Sequence, residues 1–197
     1  MRDLVYYIAT TLDGFIARED GSFADFPWDA EFGAHILATF PETFPAHLRP
    51  GEVDRSGNKR FDAVLMGRKT YEVGLREGIT SPYPTLDQFV FSRSMTASPD
   101  RSVRLVPDDP ARFVAGLKGG SGGAIWICGG GQLATALFEA DLIDELIVKL
   151  NPIVFGSGIS LFNGPQPTRR LTLSRTRHFP SGHVWLEYRV RPGELSM

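Results

Sequence analysis

The sequence predicts an α/β protein: a mostly parallel central sheet, helices on both faces, and an antiparallel hairpin at the C-terminal end. Three observations predict it. Short runs rich in β-branched and aromatic residues alternate with longer runs of helical periodicity through most of the 197 residues, the order that generates parallel strands. Several of the strand-like runs end in glycine or serine turns. The last two flank Pro180-Ser181-Gly182 with no helix between them, which reads as a closing hairpin.

The first strand is Leu4 to Ala9, too short and too β-branched for a helix. Thr10 to Gly14 breaks it, and Arg18 to Phe26 reads as a mobile polar stretch. A helix is expected from Asp29 to Phe40, with Phe32, Ile36, Leu37 and Phe40 on one face. Pro41, Pro45 and Pro50 then break regular structure, and Glu52 to Lys59 is a polar loop. Ala63 to Met66 is a buried-type strand ending at Gly67, with a helix starting near Thr70. Gln88 to Phe91 is the next strand, followed by turns to Asp100. Asp109-Pro110 starts a helix that runs to Lys118, with a carboxylate at the N-cap and proline at the first position. After the Gly119 to Gly123 loop come the strand Ala124 to Cys128, a helix Gln132 to Ala140 and a strand Glu145 to Leu150. The hairpin pairs Leu171 to Phe179 with His183 to Val190.

The length suits one well-filled core, so a single domain over 1–197 is expected. A formal charge of −2 gives no general attraction for nucleic acid or an anionic membrane. The single cysteine, Cys128, rules out an internal disulfide framework and a multi-cysteine zinc site, and fits a reducing cytoplasm. Arg2 and Asp3 lead straight into a strand-like run where a secretory signal would place its apolar core. No apolar stretch reaches the roughly 20 residues that span a bilayer. No spacing of His35, His47, His178 or His183 with cysteine or carboxylates suits a metal.

Three turns carry the functional signal. In Ile125-Trp-Ile-Cys-Gly-Gly-Gly-Gln-Leu-Ala134 a buried strand runs into Gly129, Gly130 and Gly131, and a helix opens at once through Gln132 and Leu133. Amide N–H groups at a helix start attract phosphate, and the missing Cβ atoms permit close approach. The acidic residue that a Rossmann domain places about 20 positions onward is absent, since Lys149, Leu150 and Asn151 stand there. In Val64-Leu-Met-Gly-Arg-Lys-Thr-Tyr-Glu72 a strand ends at Gly67, with Arg68, Lys69 and Thr70 at the helix start; it is no P-loop, because Asp62 replaces the first glycine. Phe89-Val-Phe-Ser-Arg-Ser94 ends a strand in Ser92, Arg93 and Ser94, a cation between two hydroxyls that suits a ribose 2′-phosphate. Parallel strands bring such turns to one edge. Together they point to a dinucleotide, with NADP favoured over NAD.

On these residues the chain resembles the dihydrofolate reductase superfamily, over most of its length and in order. Ala9-Thr-Thr-Leu-Asp-Gly-Phe-Ile16 is similar to the family's first strand and the start of its mobile loop, which implies that Ala9 and Ile16 contact a nicotinamide ring. The resemblance further implies NADPH as cofactor, with Arg68, Lys69 and Thr70 at the phosphates, Ser92, Arg93 and Ser94 at the 2′-phosphate, and a cis peptide in the Gly129-Gly130-Gly131 pyrophosphate turn. Leu142 to Phe162, together with Thr11-Leu-Asp-Gly14, resembles the reductase domain of bifunctional riboflavin biosynthesis enzymes. The deaminase zinc motifs of those enzymes are missing, and a stand-alone, homodimeric reductase domain is implied. The departure lies after Pro27-Trp28, where Gly33 or Ala34 holds the position of the pteridine-binding carboxylate. That speaks against folate reduction.

The expected reaction is hydride transfer from NADPH to a C=N or C=O carbon, with 5-amino-6-(5-phosphoribosylamino)uracil as the specific substrate implied. An NADP(H)-binding module without turnover and a pterin reductase are the alternatives. Asp13, Asp29 and Glu31 are candidates to orient substrate or relay a proton, with Asp13 and Glu31 taken as the catalytic pair. Arg18, Lys149 and Arg169 are candidate cations for a substrate phosphate. Gly119-Gly-Ser-Gly-Gly123 matches a nucleophile-elbow pattern, but it precedes a strand, so Ser121 is a loop residue. Cys128, inside an apolar strand, reads as inert, and Trp126 and Phe138 read as core.

Overall fold

A computed structural model describes residues 1–49 and 54–190. In chain order the elements are β1 (Leu4–Thr10), β2 (Phe15–Ala17), α1 (Ala30–Thr39), β3 (Phe61–Gly67), α2 (Arg68–Arg76), β4 (Asp87–Phe91) and β5 (Val103–Val106). There follow α3 (Pro110–Gly119), β6 (Ala124–Gly129), α4 (Gly131–Glu139), β7 (Glu145–Leu150), β8 (Ile159–Ser160), β9 (Leu171–His178) and β10 (Val184–Val190). Eight strands form one sheet in the order β5-β4-β3-β6-β1-β7-β10-β9, and β2 pairs with β8 in a separate ribbon. From β5 to β7 every pairing is parallel, whereas β10 runs antiparallel to both β7 and β9.

Strand alternation divides the core. Leu4 and Tyr6 of β1, with Ile125 and Ile127 of β6, face α3 and α4 through Val114, Leu133, Leu137 and Phe138. Val5, Tyr7 and Trp126 face α1 and α2 through Phe32, Ile36 and Tyr71. Both faces of the central strands are buried, which explains why they read as continuous apolar runs rather than as alternating ones. The long crossover from β1 to β3 is tied down by Glu42, a buried carboxylate that accepts hydrogen bonds from the backbone N–H groups of Lys59, Arg60 and Phe61.

Some boundaries differ from those expected. Asp29 caps α1 by accepting from the Phe32 N–H, so the helix begins at Ala30. On its core face His35 is buried, and Leu37 is only half-buried. α2 starts at Arg68 and α4 at Gly131, because the glycine before each serves as N-cap. β5, between the turns expected to Asp100 and the helix expected from Asp109, was not foreseen as a strand, and neither were β2 and β8. Pro50 and the first residues of the Glu52 to Lys59 loop lie outside the described residues.

Candidate functional site

β4, β3 and β6 are neighbours in the sheet, so their three turns stand side by side. Gly67 pairs with Phe91, which precedes Ser92, and Met66 pairs with Gly129. At the β3/β6 boundary the following helices leave for opposite faces, α2 to one and α4 to the other. Such a switch point opens a crevice beyond the carboxyl ends of the strands, where α/β sheets bind ligands.

The helix caps separate this edge from ordinary turn chemistry. α1 and α3 carry aspartate N-caps, Asp29 and Asp109, whose side chains accept from the helix N–H groups. α2 and α4 have glycine caps, Gly67 and Gly130, with no side-chain hydrogen bond. Their first-turn N–H groups are therefore available to an external anion. The two turns also approach closely. A Cβ on Gly67 would lie 3.6 Å from the Gly130 nitrogen, and one on Gly129 would lie 3.4 Å from Thr70 Oγ1. The Gly129-Gly130 peptide is cis, as the resemblance implied.

Around this crevice Arg93 and Lys69 are exposed, and neither makes an ion pair among the described residues. Arg68 is held by Glu72 at 2.7 Å, one turn along α2. Ser92 is buried, and its hydroxyl accepts from the N–H groups of Ser94 and Met95. It shapes the turn, leaving Arg93 and Ser94 as the outward-facing pair. Gln132 is exposed, whereas the Leu133 side chain is in the core, so only the backbone of Leu133 can face a ligand.

The β2–β8 ribbon lies beside the glycine turn. Phe15 pairs with Ser160, and a Cβ on Gly131 would meet the Ser160 carbonyl oxygen at 2.4 Å. Half-buried Ile16 follows Phe15 in the same ribbon. Asp13 fastens the base of this ribbon: it accepts from the Thr11 hydroxyl at 2.6 Å and from the N–H groups of Phe155 and Gly156. The Thr11 hydrogen bond, followed by the backbone donors, holds its carboxyl below the usual aspartate range. Glu31 pairs with Arg177 at 3.2 Å on the exposed side of α1.

The three candidate cations separate. Arg169 pairs with Asp141, beyond the C-terminal end of α4 and so away from the crevice at its N-terminus. Arg18 pairs with Asp25 and lies over the Phe155 ring at 3.9 Å. Lys149 stands opposite Ala9 in the β1–β7 register, and its ammonium lies 4.1 Å from the centre of the Tyr7 ring. Desolvation lowers its pKa to about 8. Nearby Cys128 contacts the Tyr83 hydroxyl at 3.6 Å, and burial pushes its thiol up to about 11.

Gly33, where the resemblance expected a carboxylate, packs against Trp28. A Cβ on Gly33 would come within 2.3 Å of its indole. An open cleft of about 540 Å³ lies at the opposite edge, where β7 begins. Arg60 and Arg189 there pair with Glu145 and Arg175 with Glu187, while the Lys59 ammonium donates to the Ala38 carbonyl. Among the described residues no group of three or more histidine, cysteine or acidic side chains could hold a metal, and no helix is long and apolar enough to cross a membrane.

Comparison with known proteins gives consistent findings. The family described as RibD C-terminal domain matches residues 2–185. YwjB of Bacillus subtilis (strain 168), named as an uncharacterized protein, is 34% identical over 181 residues, covering 90% of this chain and 92% of its own. The deaminase/5-amino-6-(5-phosphoribosylamino)uracil reductase of Thermotoga maritima superposes with a TM-score of 0.64 at 16% identity, over 96% of this chain and 57% of that one. Dihydrofolate reductase from Enterococcus faecalis, solved with NADP(H), gives 0.64 at 15% identity over 96% and 97% of the two chains.

Proposed function

The chain belongs to the RibD C-terminal domain family, and from that premise we propose that it is an NADPH-dependent reductase acting on a C=N or C=O group of a small molecule. The specific substrate of this reading is 5-amino-6-(5-phosphoribosylamino)uracil, which the Thermotoga maritima relative is named for reducing. One observation carries the cofactor assignment: α2 and α4, with uncapped glycine N-termini, meet at a single crevice, while α1 and α3 are capped by aspartate.

The residues fit the cofactor. First-turn N–H groups of α4, at Gly131, Gln132 and Leu133, suit the pyrophosphate, with Lys69 and Thr70 of α2 opposite. Arg93 and Ser94 suit the 2′-phosphate and supply the preference over NADH. Ala9 and Ile16 border the nicotinamide end. When bound, NADPH supplies the hydride. The β2–β8 ribbon shields that end from water, and Asp13 holds the ribbon in place.

Thermal unfolding with NADPH, with NADH and without nucleotide tests this reading. Ligand at about 100 times its dissociation constant adds roughly 2.7 kcal/mol, about 5–10 °C in midpoint for a domain of this size. NADPH is expected to give that shift, NADH a smaller one, and Arg93→Ala to weaken NADPH binding about 10- to 100-fold, bringing it close to NADH. Equal shifts in parent and variant count against the 2′-phosphate assignment. Bound NADPH that is never oxidised by the ribosylaminopyrimidine would instead mark a nucleotide-binding module.

A further inference from the structure

Each carboxylate that the sequence offered as a proton source is committed elsewhere. Asp13 accepts from Thr11, Phe155 and Gly156, Asp29 caps α1, and Glu31 pairs with Arg177. The remaining acids on the α1 face of the sheet at this edge are weak. Burial raises the Cys128 thiol to about 11 and raises the Tyr7 and Tyr83 hydroxyls well above their usual range. One protonated group is left. Lys149 is half-buried, faces the same side of the sheet as Ala9, and makes no ion pair among the described residues.

We infer that Lys149 is the proton donor of the reduction, its Nζ holding the oxygen or nitrogen of the substrate's C=O or C=N group. This rests on the reductase reading above. The substrate carbon gains a hydride as the dihydronicotinamide is oxidised to the nicotinamidium. The C=O or C=N π bond breaks, and its electron pair takes a proton from Nζ to form O–H or N–H. Lys149 is left as a neutral amine, which water reprotonates.

The surroundings suit that cycle. The ammonium rests over the Tyr7 ring, where the negative π face stabilises the charge without taking the proton. The titratable groups around it are the Tyr7 phenol on β1, the Cys128 thiol on β6 and the Tyr83 hydroxyl against that thiol. Across Trp185 of β10, Lys149's partner in the β7–β10 ladder, lie His35 of α1 with Arg177 of β9, and Glu187, which accepts from the Trp185 indole. Desolvation outweighs the opposing effect of the Cys128 thiol and lowers Lys149 to about 8, so it is mostly charged at neutral pH yet gives up its proton readily.

The chain has four lysines, Lys59, Lys69, Lys118 and Lys149, so NMR titration of protein labelled at lysine Cε resolves each, with Lys149→Arg assigning the signal. Spectra are recorded free, with NADPH and with NADP⁺. The two nucleotides carry the same phosphates, and their difference reports the charge on the nicotinamide ring. Lys149 is expected to titrate at least about 0.5 unit lower with NADP⁺ than with NADPH, through repulsion by the ring cation. Lys69, at the phosphate turn, is expected to move equally with both. Lys69 moving while Lys149 titrates identically in the two complexes overturns the proposal and leaves the reductase reading standing. Neither moving overturns both. On the ribosylaminopyrimidine, Lys149→Met is expected to lower kcat roughly 100- to 10,000-fold with NADPH affinity retained; a variant turning over at the parent's rate also overturns the proposal.

Discussion

Asp13 shows how a residue at a reactive edge can act through geometry rather than by exchanging protons. Its hydrogen bonds favour the ionised form, so its folded-state pKa lies below that of the unfolded chain. The stabilisation is therefore complete above the ordinary aspartate value of about 3.9 and is lost as pH falls through the lower folded value. Asp13→Asn should lower the unfolding midpoint at neutral pH, and the deficit should shrink on acidification into that range. A deficit independent of pH would mean that the amide is failing for steric reasons. The sequence located Asp13 through its loop motif but not its role, because the Phe155 and Gly156 donors arrive from more than a hundred residues away. Lys149 was legible only as a possible phosphate ligand. What distinguishes it is the absence of a carboxylate partner among the described residues, which spacing along the chain does not reveal.

Among the elements, α4 is the most tightly constrained at its start. A methyl group at Gly131 would press on a backbone carbonyl that belongs to β8 and on Asn163. Gly131→Ala is expected to cost about 1–3 kcal/mol and to weaken NADPH binding by displacing the first-turn N–H groups. Gly116, within α3, has open space at its Cβ position, so Gly116→Ala should stabilise by about 0.5–1 kcal/mol. Chemical denaturation of both variants, together with NADPH titration, checks the contrast. Most elements were legible because they are long apolar runs ended by glycine or capped by aspartate. β2 and β8 have three and two residues, too few for any periodicity to register. β5 has four, with Arg104 exposed among them, and reads as connection until it is seen beside β4.

For the molecule as a whole, both cores rest on the same strands. Tyr6 belongs to one face and Tyr7 to the other, so neither face can be uncovered without breaking the sheet they share. Urea unfolding followed by far-UV dichroism and by the fluorescence of buried Trp126 and Trp185 should give coincident transitions. Separated midpoints would show that the hairpin or one helical layer unfolds independently, contrary to the single domain expected from the sequence.

The place of β1 in this sheet bears on how the protein is made. β1 is an interior strand, flanked by β6 and β7, and its partners lie far along the chain, at Ile125 to Ile127 and Glu145 to Leu150. During synthesis an apolar segment, Leu4-Val-Tyr-Tyr-Ile8, must therefore wait without its neighbours until β6 and β7 have emerged. Such delayed long-range pairing slows folding and leaves hydrophobic surface open to aggregation. A nascent chain stalled before β6 would be the form of this protein most in need of a chaperone.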